Sequence, residues 1–234
     1  MDKVVWITGA NSGIGKSITL KFLRNGHKVV ASARREEEIK NILNEEGVDE
    51  SDLIIVPLDV TDPEKIANTY ELLKEKHLFV GLINNAGATS FQNALENSIS
   101  EIKNIIETNL LGSIYMIKTL LPEMVEAEGG RIINILSVVT NKIFTSSSAY
   151  SASKAGLEAY SKVLREEVRE NNIRIINIYP GATITPIWPD KALEKFSSRM
   201  MNPDRIADIV YDAYSIQENI VPEEIVLRPV KGDL

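Results

Sequence analysis

Seven short runs rich in Val, Ile and Leu alternate with helix-length segments from one end of the 234 residues to the other, and few folds accept that pattern. The runs are 3–8, 28–31, 53–57, 79–83, 131–136, 173–178 and 224–227. Between them, helical spacing covers 13–25, 36–46, 63–76, 100–109, 113–126, 149–172 and 204–215. Strands that are apolar on both faces and separated by helices predict a parallel sheet covered on both sides, a single doubly wound α/β domain over 1–234. Asp62-Pro63 and Asn202-Pro203-Asp204 read as helix starts, with proline pre-setting the backbone of the first turn. Residues 181–203 form the longest stretch without a clear element, too short for a second domain.

Composition narrows the chemistry. A hydrophobic fraction of 44% is enough to offset the entropy of ordering a core, which excludes disorder. No apolar run reaches the roughly 18–20 residues of a membrane span, and the first residues lack a leader pattern, so a cytoplasmic protein is expected. Zero cysteines excludes disulfides, thiolate metal sites and cysteine nucleophiles. A net charge of −7 argues against nucleic-acid binding. Only His27 and His77 are present, which leaves little for a metal centre or a Ser-His-Asp relay.

Directly after the first strand stands Thr8-Gly9-Ala10-Asn11-Ser12-Gly13-Ile14-Gly15. Glycines here permit a tight turn and close approach to a pyrophosphate, while the following helix offers unpaired N–H groups and partial positive charge. At the end of the second strand, where an NAD binder carries an acid for the ribose hydroxyl, the chain has Ser32-Ala33-Arg34-Arg35. Two guanidinium groups suit a 2′-phosphate through forked hydrogen bonds, and Ser32 is expected to add a hydroxyl, so NADP(H) is the expected cofactor.

Tyr150 and Lys154 lie one turn apart on one face of the long helix opened by Ser148-Ala149-Tyr150. A free phenol titrates near ~10, poorly matched to proton transfer at neutrality, and a neighbouring ammonium favours the phenolate. Ser137 follows the fifth strand, at the carboxyl edge where open α/β sheets bind ligands.

Taken together and in order along nearly the whole chain, these segments resemble the short-chain dehydrogenase/reductase family, in its shorter, NADP-preferring subtype. The resemblance implies a seven-stranded, mostly parallel Rossmann-type sheet in the order 3-2-1-4-5-6-7. It implies that Gly9, Asn11, Ser12, Gly13, Ile14 and Gly15 hold the cofactor's phosphates, with Asp59 and Val60 at the adenine. Asn85, Ala86 and Gly87 would follow from the Asn84-Asn85-Ala86-Gly87 motif, and Pro180, Gly181, Thr183 and Thr185 would meet the nicotinamide end. Asn109, Ser137, Tyr150 and Lys154 match the catalytic tetrad. Tyr150 would exchange the proton, Lys154 would lower its pKa and hold the ribose, and Ser137 would bond the substrate oxygen. Asn109 would hold a water that relays protons to Lys154, or pin a helix kink, the two being compatible.

Phe144, Ile187 and Trp188 offer an apolar substrate wall in which no Lys or Arg cluster demands an anion. An apolar ketone or aldehyde, or a small hydroxylated compound, fits equally, and Trp188 reads equally as a lid, within the loop 182–203, or as packing. The helices 113–126 and 149–172 carry small and apolar positions, among them Ala152, Ala155, Ala159 and Val163; the resemblance implies that they pair across a two-fold axis in a homodimer or homotetramer, the alternative being burial in the monomer. The expected activity is NADP(H)-dependent interconversion of a carbonyl and an alcohol. A cofactor-sensing regulator would carry a broken tetrad, an epimerase would need an added domain, and an NAD-dependent alcohol dehydrogenase remains a further alternative.

Overall fold

A computed structural model describes residues 1–45, 48–217 and 219–234. All seven expected strands form: β1 (Asp2–Thr8), β2 (Lys28–Ala33), β3 (Leu53–Pro57), β4 (His77–Asn84), β5 (Gly130–Ile135), β6 (Ile173–Pro180) and β7 (Glu224–Leu227). They make one sheet in the order β3-β2-β1-β4-β5-β6-β7. Every pairing is parallel, so the expected "mostly parallel" sheet is parallel throughout. The strand order reverses between β1 and β4, which opens a crevice at their carboxyl ends.

Among the described residues there are eight α-helices: α1 (Gly13–Arg24), α2 (Glu36–Lys40), α3 (Pro63–Leu73), α4 (Ile99–Ile106), α5 (Gly112–Glu126), α6 (Ser148–Glu167), α7 (Asp190–Phe196) and α8 (Pro203–Ser215). The unbroken apolar character of β1 follows from helices packed on both its faces. Val5 and Ile7 pack with Ile18 and Phe22 of α1 and Val210 of α8, while Val4 and Trp6 pack with Met116 and Leu120 of α5. Each such side chain contributes about 1.5–3 kcal/mol on burial. The proline-marked starts are capped as expected: Asp62 accepts from Lys65 N at 2.9 Å and Asn202 from Asp204 N at 2.8 Å.

Several boundaries differ from expectation. Residues 100–126 were expected as two helices, but a π-helical turn at Glu107–Leu111 joins α4 to α5. α6 ends at Glu167 rather than 172, and Asn172 takes the left-handed conformation at φ 54° that closes the segment. α2 gives way after Lys40 to a tighter 3-10 turn, and its expected end at Glu46 lies outside the described residues. The stretch 181–203 contains α7, in which no residue is fully buried, so it carries no strong apolar period to read.

Beneath the crevice, Asn84, Asn134 and Asn177 stand opposite one another on β4, β5 and β6. Their amides form a buried chain: Asn84 donates to Asn134 at 3.0 Å, Asn134 to Asn177 at 3.1 Å, and Asn177 to Ser161 Oγ at 2.9 Å. A slip of one residue would break every link, so the chain pins the register that aligns the strand ends. Asn134→Leu strands the buried Asn84 donor, while Asn177 Oδ1 keeps the Ser161 hydroxyl at 3.1 Å, an expected loss of about 1–3 kcal/mol readable by urea unfolding. A change below about 0.5 kcal/mol would show that the chain adds nothing to stability.

Candidate active site

The crevice is a cavity of about 740 Å³ over the carboxyl ends of β1, β4, β5 and β6. Its floor begins at the glycine-rich turn. Gly9 and Gly13 lie at φ +64° and +52°, open to glycine and strained for other residues. Thr8 Oγ1 accepts from Asn85 N and Ala86 N, both at 3.0 Å, and Asn85 Nδ2 donates back to Thr8 O at 3.0 Å and Gly9 O at 3.1 Å. That stitching binds the turn to the end of β4. Gly9, Asn11, Ser12, Gly13 and Ile14 line the cavity, as do Asn85, Ala86 and Gly87. Gly15 does not: a Cβ there would sit 2.1 Å from Gly9 O, so this glycine lets the helix pack against the turn. Among the described residues no side chain caps α1 and no acid occupies its first turn, which leaves its positive end toward the cavity.

At one end stand Arg34 and Arg35. Arg34 is exposed and, among the described residues, has no ion-pair or hydrogen-bond partner. Arg35 grips Glu38 with Nε and with Nη2, the latter at 2.9 Å, and Glu38 also accepts from Asn11 Nδ2 at 2.6 Å. The expectation for Ser32 is corrected: its hydroxyl is buried, accepting from Trp6 Nε1 at 3.0 Å, and it does not reach the cavity. Asp59 and Val60 also stand outside the cavity wall. Asp59 Oδ1 accepts from Thr61 N at 3.0 Å and Thr61 Oγ1 at 2.9 Å, and Val60 is buried beside Gly112.

At the other end Ser137, Tyr150 and Lys154 line the same cavity. β5 delivers Ser137, and the first two turns of α6 deliver the other two. Lys154 is 4% exposed; its Nζ donates to Ile135 O at 2.7 Å and lies 5.8 Å from the Tyr150 ring centroid. Burial pushes the Lys154 ammonium down to about 8. Burial also pushes the Tyr150 phenol up, and its hydrogen bond with Ser137 pulls the other way. Within the protein alone desolvation therefore dominates at Tyr150, opposed by Ser137 and not by Lys154.

Asn109 lies in the π turn and does not line the cavity. Its amide is fully engaged, accepting from Ala88 N at 2.7 Å and donating to Ala88 O and Ser153 Oγ, each at 2.9 Å. It thus ties the loop after β4 to α6, as the kink-pinning reading expects. Pro180, Gly181, Thr183 and Thr185 line the wall from β6 onward, with Gly181 N donating to Leu227 O at 2.7 Å.

Phe144, Ile187 and Trp188 line the same cavity. Three arrangements escaped the sequence. Phe91 stacks on Trp188 with centroids 4.9 Å apart, joining two loops that both line the cavity. Asp233, held by Lys142 at 2.8 Å and by Arg228, brings the chain's last residues to the wall. The turn from Pro229 to Gly232 that returns them was a readable signal. The third is Glu38, whose neighbours Glu36 and Glu37 gave no reason to single it out. Among the described residues no three His, Asp or Glu gather as a metal site, and no helix is long and apolar enough to cross a membrane.

The family described as short chain dehydrogenase matches residues 3–195. An uncharacterized oxidoreductase of Staphylococcus aureus (strain MW2) is 30% identical over 232 residues, covering 98% of each chain. Dehydrogenase/reductase SDR family member 7 of Mus musculus is 32% identical over 207 residues, 86% of this chain and 61% of that one. Among solved structures, the closed form of serine dehydrogenase complexed with NADP+ superposes with a TM-score of 0.91 at 29% identity, covering 99% of this chain and 96% of that one. A 4-hydroxyisoleucine dehydrogenase complexed with NADH and succinate gives 0.85 at 26%, covering 96% and 97%. The matched family model, the full-length likeness and the strand order agree, and the chain belongs to the short-chain dehydrogenase family of oxidoreductases.

Proposed function

We propose that the protein interconverts a ketone or aldehyde with its alcohol using NADP(H), Tyr150 moving the proton. One observation carries this reading: the Ser137–Tyr150 pair, backed by Lys154, shares a cavity with the uncapped end of α1 and the unpaired Arg34. The cavity fits a dinucleotide. Its left-handed glycines leave backbone amides accessible at one wall, and a Cβ at Gly13 would come 2.9 Å from Thr185, so that wall is already at contact distance.

The cofactor supplies the hydride and, when oxidised, a positive charge. Ser137 donates its hydroxyl hydrogen to the carbonyl oxygen, which gains charge as the carbon is reduced. Tyr150 donates its phenolic proton to that oxygen, or removes it in the reverse direction. Lys154, fixed by Ile135 O, would place a cation near the phenol, which favours the phenolate. Asn109 holds the loop at Ala88 against α6 and so fixes the distance between the two walls. Phe144, Ile187 and Trp188 favour an uncharged, largely apolar substrate.

The serine dehydrogenase neighbour was solved with NADP+, which accords with the two arginines after β2. The test is a fluorescence titration with NADPH and NADH. NADPH is expected to bind more tightly, and Arg34→Ala to weaken NADPH by about tenfold or more through loss of a charge-assisted bond. NADH affinity should change little; an equal loss for both would remove Arg34 from the 2′-phosphate. Ala152, Ala155, Ala159 and Val163 all face outward, which counts against burial in the monomer and supports pairing of α6 in a homodimer or homotetramer.

A further inference from the structure

We propose that Glu38 sets the balance between a cofactor carrying a 2′-phosphate and one carrying a free 2′-hydroxyl. The inference rests on the dinucleotide reading of the cavity and concerns which form is held.

Two groups that line the cavity beside the glycine turn, Asn11 and Arg35, converge on one carboxylate. Glu38 comes from the first turn of α2 and stands directly behind these two cavity-lining side chains rather than in the wall itself, reaching back to the turn between β1 and α1. Its neighbours point elsewhere, Glu36 and Glu37 both pairing with Lys40. The Arg35 guanidinium, then the Asn11 amide, hold the Glu38 carboxyl below the usual carboxylate range, so it is ionised at neutral pH.

An ionised carboxylate here acts oppositely on the two ribose substituents. A 2′-phosphate needs a guanidinium, and Arg35 already spends its fork on Glu38. The phosphate must displace that carboxylate or sit beside it, and like charges a few ångströms apart near a surface repel. Arg34, unpaired, is then the cation left to bind it. A 2′-hydroxyl instead wants an acceptor. NAD binders provide one as an acid at the end of the second strand, a place held here by Ala33 and Arg34. Glu38 supplies that acceptor from the next helix. It is 40% exposed, so its bonds to Arg35 and Asn11 can be exchanged for water, and one side chain serves the hydroxyl and yields to the phosphate at a cost.

Calorimetric titration of full-length protein with NADPH and with NADH tests this. Glu38→Gln keeps the shape and removes the charge. Its Kd for NADPH is expected to fall about three- to tenfold, and its Kd for NADH to rise by a similar factor. Glu37→Gln makes the same change in net charge and is expected to leave both values within about twofold. Opposite shifts in Glu38→Gln alone support the inference. Shifts of the same sign, no shift, or the same pattern in Glu37→Gln overturn it while leaving the dinucleotide reading intact. Failure of the unsubstituted protein to bind either nucleotide overturns both.

Discussion

Tyr150→Phe is expected to lower kcat by about 10²–10⁴-fold and to leave NADPH affinity nearly unchanged. The substitution deletes one oxygen from a half-buried ring and keeps the packing of α6. What disappears is the proton that must reach the substrate oxygen, and no other group at this end can replace it. Lys154 is tied to Ile135 O, and Ser137 is an unassisted hydroxyl once its phenol partner is gone. The affinity should survive because the turn, Arg34 and Lys154 are untouched. Steady-state kinetics beside a binding titration separate the two effects. Turnover within about tenfold of the unsubstituted protein would take Tyr150 out of the proton-transfer role.

Gly15→Ala is expected to cost about 3 kcal/mol of stability or more, lowering Tm by roughly 6–12 °C in a chain of this length. The added methyl would lie 2.1 Å from Gly9 O and 2.3 Å from Asn85 Nδ2. Neither can retreat freely: Gly9 belongs to the turn, and Asn85 donates both to Thr8 O and to Gly9 O. Relief requires α1 to move away from β1, which also dismantles the cavity floor. Gly26→Ala is the informative partner. Gly26 sits at φ +76° with nothing within 4 Å of a Cβ, so it carries backbone strain without collision. Its expected cost is about 1–2 kcal/mol, with the cavity intact. Equal melting points for the two variants would show that close packing at Gly15 is not what demands glycine.

What could be read without coordinates was whatever depends on neighbours in sequence. The strands show because each is apolar on both faces, and the turn, Ser137, Tyr150 and Lys154 show because they stand at the ends of those elements. Ser32 was misjudged because its fate is decided by Trp6, on another strand, whose indole needs an acceptor inside the core. Gly15 was assigned to the phosphates for its motif, whereas its surroundings give it a packing role. Glu38 resembles any acid on an exposed helical turn until Asn11 and Arg35 are seen to meet on it. A kink at Asn109 was among the expectations, but its form, a π turn that joins α4 to α5, was not legible in the sequence.

The central position of β1 has a consequence for biosynthesis. β1 leaves the ribosome well before β4, yet it pairs with β4 on one side, Asp2 standing opposite His77. At about 5–20 residues per second, synthesis of the intervening segment takes on the order of 4–15 s. The β1-β2-β3 half is complete at Pro57, before β4 is made, so it must wait with one flank of β1 unpaired. That flank is an apolar, unsatisfied strand edge in a newborn chain, the kind of surface that invites pairing with another chain. The same strand order that opens a crevice in the finished protein thus gives its nascent form a window of vulnerability, closed when β4 docks.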